Sequence, residues 1–382
     1  MNQIIIVGNG FDLAHGFPTR YSDFMLSFLK DCIRHAYDNA GQTVYFGPIQ
    51  INCRAYIQEG IENVLKRIDS IKKVANDHWI DLNITSKGPG IYFGDRPRSS
   101  RKVILFHIDS DLINELLSKE ANLNWIDIEK EYFKLLNEAL DNNNIEDQRD
   151  DVKKLNEDLD FLKDELCKYL DKIQSDSSYI STLDPALRQR IQGFLFPKLR
   201  FKNVAPEKSF RRLILNYNYT STIQPYLEDQ PDNLNTEISY IHGSLNDQAS
   251  SIVFGFGSVD GPELKKILTS EIYQAAHNLK FQIYLRNGQD GELNKILKEG
   301  AFLVRVIGHS CGTSDGSTLR DIFEHDNCQG ISVCYLNNED FSEKTFNIHG
   351  HLKEFKKLPI EAMNDDLCFQ PTSTEESAVE VS

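Results

Sequence analysis

Nowhere does this chain carry the ~20 consecutive apolar residues of a membrane helix, so no helical span is expected. Positive charge is also scarce: 42 Lys+Arg against 57 Asp+Glu leave a formal charge of −15. That sign disfavours a surface that grips bulk nucleic acid through its phosphates, and equally an anionic membrane. The seven cysteines (Cys32, Cys53, Cys167, Cys311, Cys328, Cys334 and Cys368) are scattered and form no C-x-x-C pair. A zinc ribbon or disulfide frame is therefore not expected, and reduced thiols in a cytoplasmic protein are. The opening MNQIIIVGNG has no basic region and its apolar run soon breaks, so it does not read as a signal peptide. No metal cluster shows either, because His349 and His351 in IHGHL supply two ligands at most.

What the chain does have is enough length, 382 residues, for two structural units, and an apolar content of 40%, normal for a globular protein. Residues 3–7 form a β-branched run suited to a strand buried on both faces. After Pro18, the spacing of Met25, Phe28, Leu29, Cys32 and Ile33 predicts a helix. Residues 38–102 are irregular, and ITSKGPGIYFGDRPRSSRK reads as a long basic loop. Residues 103–180 read as helical. Val152, Leu155, Leu159, Leu162, Leu166, Tyr169 and Ile173 make a 3-4 packing seam, suited to the chain's own core or to a second copy, and DNNNIEDQRDD (141–151) separates it from the preceding helix.

Beyond residue 211, five aliphatic runs (RLILNYN, EISYIHG, SIVFGFG, AFLVRVIGHS and GISVCYL) alternate in part with helical stretches. This predicts an α/β fold with a mostly parallel sheet flanked by helices. The expected organisation is an α/β domain from residues 1–30 and 200–360, a mostly helical insertion over 31–199, and a disordered tail over 364–382.

Ligands in such a sheet sit at the carboxyl ends of its strands, and there the runs end suggestively. They end in Gly8-Asn9-Gly10, Asn216-Tyr217-Asn218, Ile241-His242-Gly243, Phe254-Gly255-Phe256-Gly257 and Gly308-His309-Ser310. Gly8 and Gly10 would let backbone amides approach a phosphate, although a tight strand–helix turn needs the same residues. Leu13 occupies the third glycine position of a dinucleotide fingerprint, so that motif is incomplete. His242 fits a structural role as well as a catalytic one, Asn218 fits a helix cap, and Asp12 and His15 fit turn positions.

Taken in order, GNGFDLAHGFPTRYSDF, NWIDIE, LNYNYTSTI, IHGS, VFGFG and IGHSCGTSD resemble the signature of the AbiH family, linked to abortive infection by bacteriophage. More distantly, the chain resembles sirtuin-like, Rossmann-like NAD-binding domains. Gly8-Asn9-Gly10 with Gly16-Phe17-Pro18 keeps the spacing of their glycine loop. Tyr217–Thr220, His242-Gly243 and Gly308-His309-Ser310 follow in the matching order. The departures are Asp12 in place of a serine, Thr19-Arg20-Tyr21 after the proline, and no four-cysteine ribbon, so an acyl-lysine reaction is not implied.

The resemblance implies a defence protein that hydrolyses NAD, with NAD as substrate and no metal. His242 would be the general base and Asn218 would hold water and ribose. Gly8, Asn9, Gly10, Phe11, Asp12, His15, Gly16, Pro18, Gly243, Gly255, Gly308, His309 and Ser310 would bind the nucleotide. The rival readings are a non-catalytic nucleotide sensor and a ribonuclease. The latter rests on Arg320 and His325, whose spacing occurs in helical ribonucleases. Trp125, Asp127 and Glu129 are further candidates if the insertion folds over the site, and a homo-oligomer is an open possibility.

Overall fold

Ile4, Ile5, Ile6 and Val7 can be satisfied only where both faces of a strand are covered, and all of Asn2–Val7 is buried. The computed structural model describes residues 1–39, 42–53, 81–85, 88–92, 104–118, 128–175, 185–196, 211–228, 235–246, 252–257, 261–287, 291–353 and 360–362. Its strands in chain order are β1 (Asn2–Val7), β2 (Thr43–Phe46), β3 (Ile49–Cys53), β4 (Asp81–Thr85), β5 (Gly88–Tyr92), β6 (Ile104–Ile108), β7 (Arg212–Asn216), β8 (Thr236–Tyr240), β9 (Phe302–Ile307), β10 (Cys328–Val333) and β11 (Ile360–Ala362). They form two sheets. The described residues divide into two compact units, 1–19 with 170–264 and 278–382, and 20–169 with 265–277.

The first unit holds a six-stranded sheet in the order β11-β10-β9-β1-β7-β8, with every neighbouring pair parallel. This is the expected α/β architecture, and β1 lies inside the sheet between β7 and β9. One apolar layer joins Ile4, Ile6, Leu213, Leu215, Val304 and Val306 to Ile283 and Ile296, which belong to the helices Lys280–Asn287 and Gly291–Lys298. The opposite layer joins Ile5, Val7 and Ile214 to Leu187, Ile191 and Phe194 of the helix Pro185–Leu195. Burial of both faces explains the unbroken aliphatic runs.

One run departs from expectation. SIVFGFG is not a strand: among its described residues only Phe256 makes an isolated bridge, to Leu279. Two closely spaced glycines weaken a ladder, and here each also lies tight against neighbouring backbone, at the carbonyls of Asn278 and Ser314.

The second unit adds a sheet to the helices expected over 31–199. It holds the expected long helix Tyr21–Asp38 and the helix Ile145–Ser175 as far as Tyr169, and also a five-stranded antiparallel sheet in the order β2-β3-β6-β5-β4. β2 and β3 are joined through Gly47, whose φ of +55° suits the tight turn. Within the supposed loop, residues 84–85 and 88–92 belong to the paired strands β4 and β5, and Ile104–Ile108 is a strand, not helix. Residues 93–103 lie outside the described residues. Val152, Leu155, Leu159, Leu162 and Leu166 are buried as their spacing predicts, while Tyr169 is only half-buried. Residues 145–151 begin the long helix and do not form a spacer. Residues 170–199, where described, stand with the parallel sheet, because Leu187, Ile191 and Phe194 cover it. The tail expected over 364–382 lies outside the described residues. Among the described residues, no helix is long and apolar enough to cross a membrane.

Candidate functional site

The carboxyl ends of β1 and β9 meet backbone to backbone. Gly8 N–H donates to Ile307 O at 3.0 Å and Gly10 N–H to Gly308 O at 2.7 Å, while Phe11 N–H turns back to Gly8 O. A Cβ on Gly8 would lie 2.7 Å from His309 Cα, and one on Gly10 2.7 Å from Gly308 Cα. Gly308 itself has φ +66°, and its Cβ would lie 2.3 Å from Phe11 N. These glycines are required because two loops pack against each other without side chains between them. The Gly8, Gly10 and Phe11 amides, expected to approach a phosphate, are hydrogen-bonded inside the chain. Helix begins at once, with Asn9–Ala14, so the segment read as an open loop is a short helix.

Asp12 lies on that helix and is buried. Its Oδ1 accepts from Asn218 Nδ2 at 3.0 Å and its Oδ2 from Thr220 Oγ1 at 2.6 Å, and Thr222 donates on to Thr220 at 3.0 Å. Asn218 Nδ2 also reaches Gly8 O at 3.1 Å. Burial raises the Asp12 pKa from 3.8 to about 6, against the lowering pull of these hydrogen bonds. The Asn218 amide, expected to hold water and ribose, thus ties β7 to the first loop.

His15 is a core histidine. A carbonyl only accepts, so its Nδ1–H donates to Phe11 O at 2.7 Å, and Nε2 then accepts from the Tyr226 hydroxyl at 2.7 Å. Burial holds its pKa down at about 4, which keeps it neutral.

A second cluster gathers beyond β8 and β9. His242 Nε2 lies 2.9 Å from Asp315 Oδ1, Lys280 Nζ lies 2.8 Å from the same oxygen, and His309 Nε2 lies 3.4 Å from Oδ2. All four side chains are buried, Lys280 completely. The ring protons can be placed by partner chemistry. A carboxylate only accepts, so His242 donates through Nε2–H and carries its lone pair on Nδ1. His309 Nδ1 accepts from Cys311 N–H at 2.9 Å, so its proton also sits on Nε2, facing Asp315.

Burial alone would raise the Asp315 carboxyl, but the Lys280 ammonium and then the His242 and His309 donors hold it well below 3.8. Burial and the Lys280 charge push the His242 pKa below its ordinary 6.5. The Tyr217 ring stands edge-on to His242 and tilted on His309, with centroids at 5.1 and 4.4 Å. Asp315 occupies the N-cap position of the helix Gly316–Phe323, yet makes no capping hydrogen bond. Its carboxylate is turned to the cluster instead of the helix.

The loop 308–312 is held from behind by the helix Asn338–His351: Asn347 Nδ2 donates to Ser310 O and His351 Nε2–H to Cys311 O. Cys311 carries a φ of +55°, rare for a residue with a side chain.

The structure therefore brings together Gly8, Gly10, Asp12, Asn218, His242, Gly308 and His309 at adjoining strand ends. The other expected residues lie around them. Gly255 and Gly257 pack against the segment that leads to Lys280. Gly243 makes a positive-φ turn (φ +78°) and Gly16 another (φ +82°). Asn9 accepts from the Thr19 hydroxyl, half-exposed Pro18 precedes that threonine, Phe11 is core, and Ser310 takes part through its carbonyl.

Glu129 is buried in the second unit, while Trp125 and Asp127 lie outside the described residues. Arg320 donates to His351 O and His325 lies beyond the end of the helix that bears Arg320, so they do not share one helical face. Among the described residues no group of His, Cys, Asp and Glu fits a metal ion. Two members of the cluster escape the sequence reading. Asp315 closes the quoted string IGHSCGTSD without any role, and Lys280 stands in HNLKF, where nothing local marks it as buried.

A comparison with curated proteins finds no match. The model of the family described as bacteriophage abortive infection AbiH matches residues 4–336, a span that takes in both clusters. The chain belongs to the AbiH family of bacteriophage abortive-infection proteins.

Proposed function

We propose that this chain acts in abortive infection by binding NAD over the carboxyl ends of β1, β7, β8 and β9 and cleaving its nicotinamide–ribose bond. The observation that carries the reading is the His242–Asp315 hydrogen bond of 2.9 Å at a strand end, which leaves His242 Nδ1 as a lone-pair base. Support for NAD as the substrate comes from the sirtuin-like order of motifs, whose members lie at neighbouring strand ends.

Cleavage of the glycosidic bond passes through an oxocarbenium-like state. Nicotinamide leaves as a neutral molecule with the electron pair of the C1′–N bond. A water oxygen forms the new bond to C1′, and its proton passes to His242 Nδ1. A His242 pKa below 6.5 keeps the ring a neutral imidazole at neutral pH, with Nδ1 free of a proton, as a general base requires. Asn218 acts in this scheme by holding the first loop in place.

Nicotinamide release and thermal melting, measured side by side, test the reading. His242→Gln keeps a donor for Asp315 and should lose ~10²–10⁴ in rate while melting close to wild type. Asn218→Ala should lose stability and rate together, since its amide serves both Asp12 and Gly8. Full turnover by His242→Gln would remove His242 from the mechanism.

A nucleotide sensor without turnover is the second reading. In its favour, the Asn218 amide, expected to hold the reacting water, is already bonded to Asp12 and Gly8. NAD binding by a wild type that releases no nicotinamide, with phage extract supplied as trigger, would select it.

A further inference from the structure

Lys280 has no part in the chemistry just described, yet it is completely buried and its ammonium lies 2.8 Å from Asp315 Oδ1. An ammonium is rarely taken wholly out of water unless its charge is needed where it is placed. The groups around it explain the need. Asp315 faces two imidazoles, His242 on Oδ1 and His309 on Oδ2. A buried carboxylate with only neutral imidazoles beside it would draw a proton onto one of them.

His309 is poorly placed to take that proton, because its Nδ1 lone pair already accepts from Cys311 N–H. His242 would take it, on the nitrogen that a general base needs. Among the described residues the rings of Tyr217 and Tyr219 also stand against His242. Cys311 belongs to the 308–312 loop itself, and His351 and Lys344 of the helix Asn338–His351 lie behind it.

We propose that Lys280 is the positioning residue of this cluster: its ammonium balances the Asp315 charge, so that His242 stays a neutral imidazole, Nε2–H on the carboxylate and Nδ1 open as a base. The role of that base rests on the proposed NAD cleavage, but the protonation state does not. Lys280 acts through Asp315 and touches no substrate. The helix Lys280–Asn287 thus starts where it must deliver this charge, and Gly257 makes room for it: a Cβ there would lie 3.3 Å from the Lys280 Cβ.

Nitrogen-15 NMR of histidine-labelled protein reads the imidazole states directly. Wild type at neutral pH should show His242 and His309 both neutral and protonated at Nε2. In Lys280→Met, His242 should be an imidazolium at the same pH. Nicotinamide release should fall about tenfold for each unit that its pKa stands above the working pH, and recover as pH rises. A neutral His242 in Lys280→Met, or a cationic one in wild type, overturns the proposal.

Lys280→Met takes the ammonium away from a buried carboxylate and is expected to destabilise the fold, so Lys280→Met/Asp315→Asn carries a second test. Charge balance predicts that the double variant melts above the single one; a double variant that melts no higher overturns the proposal. If the NMR states hold while no variant, nor wild type, releases nicotinamide, the NAD reading fails and the role of Lys280 stands.

Discussion

Asp12 and Asp315 are both buried carboxylates at the carboxyl edge of the same sheet, and their ionisation moves in opposite directions. Asp12 is met by an amide and a hydroxyl and has its pKa pushed up to about 6. Asp315 is met by an ammonium and two imidazole N–H donors and is held well below 3.8. Burial is the largest single influence on both and raises both. The outcome is decided by whether a full positive charge lies in contact, since neutral donors only partly replace the lost hydration of a carboxylate. Two similar residues on one edge therefore have different uses: one ties loops together, and the other sets the state of a histidine.

The largest effect should come from breaking the charged cluster. Asp315→Ala removes the carboxylate that faces the buried Lys280 ammonium and should cost about 3–5 kcal/mol in urea unfolding at neutral pH. The sign with pH follows from the depressed pKa. The Asp315 contribution is in place above 3.8 and is lost as pH falls below it through the folded value. A loss below about 1 kcal/mol would mean that the ion pair is incidental.

Asp12→Asn should do the reverse. An Asn amide can donate to Thr220, which can turn its own proton to Thr222, while the Asn oxygen still accepts from Asn218. Ionised Asp12 costs the fold about 3 kcal/mol at neutral pH, from the rise of 3.8 to about 6. Removing the charge should recover about 1–3 kcal/mol.

Because folded Asp12 binds its proton more tightly than the unfolded chain does, its contribution falls as pH rises from about 4 to about 6. His15 works the other way. Its folded pKa of about 4 means that stability rises with pH through the same interval, up to about 6.5. The two slopes oppose each other in wild type, so Asp12→Asn should also uncover a steeper loss of stability toward acid. A variant less stable than wild type at neutral pH would show that the neutral partners reward the charge after all.

The contrast between the two aspartates also shows what a sequence can disclose. The strands β1, β7, β9 and β10 are legible because an aliphatic run buried on two faces has few other uses, and the mostly half-buried edge strand β8 follows as one more run of the series. His242, His309 and Asn218 are legible as residues at the ends of those runs. The Asp315–Lys280 pair is not, since its members are 35 residues apart and each looks locally like part of a polar helix start. The antiparallel sheet of the second unit escapes for a different reason. Its outer strand β2 alternates exposed and half-buried residues over only four positions, Thr43–Phe46, too short to announce a period. Gly8 and Gly10 do mark close backbone approach, and the group that approaches them is the chain's own Gly308-His309 loop.

That seam gives the smaller and last pair of effects, and it joins the two clusters, because Gly8 O is held by Asn218 on one side while His309 follows Gly308 on the other. Gly308→Ala must place a side chain at φ +66° and bring its Cβ to 2.3 Å from Phe11 N, a backbone atom that cannot rotate away. The backbone strain alone is about 1–3 kcal/mol, and relief requires the loops to part, moving Asp12 and His309 together. Gly193 is the control: it lies exposed within the helix Pro185–Leu195, with nothing within 4 Å of an added Cβ. Gly193→Ala should therefore stabilise by about 0.5–1 kcal/mol through helix propensity alone. Unfolding curves for the two variants should move in opposite directions, and histidine NMR should show His309 and His15 both shifted in Gly308→Ala but unchanged in Gly193→Ala. If Gly308→Ala disturbs His309 and leaves His15 as in wild type, the two clusters are mechanically independent, and the seam serves only the charged one.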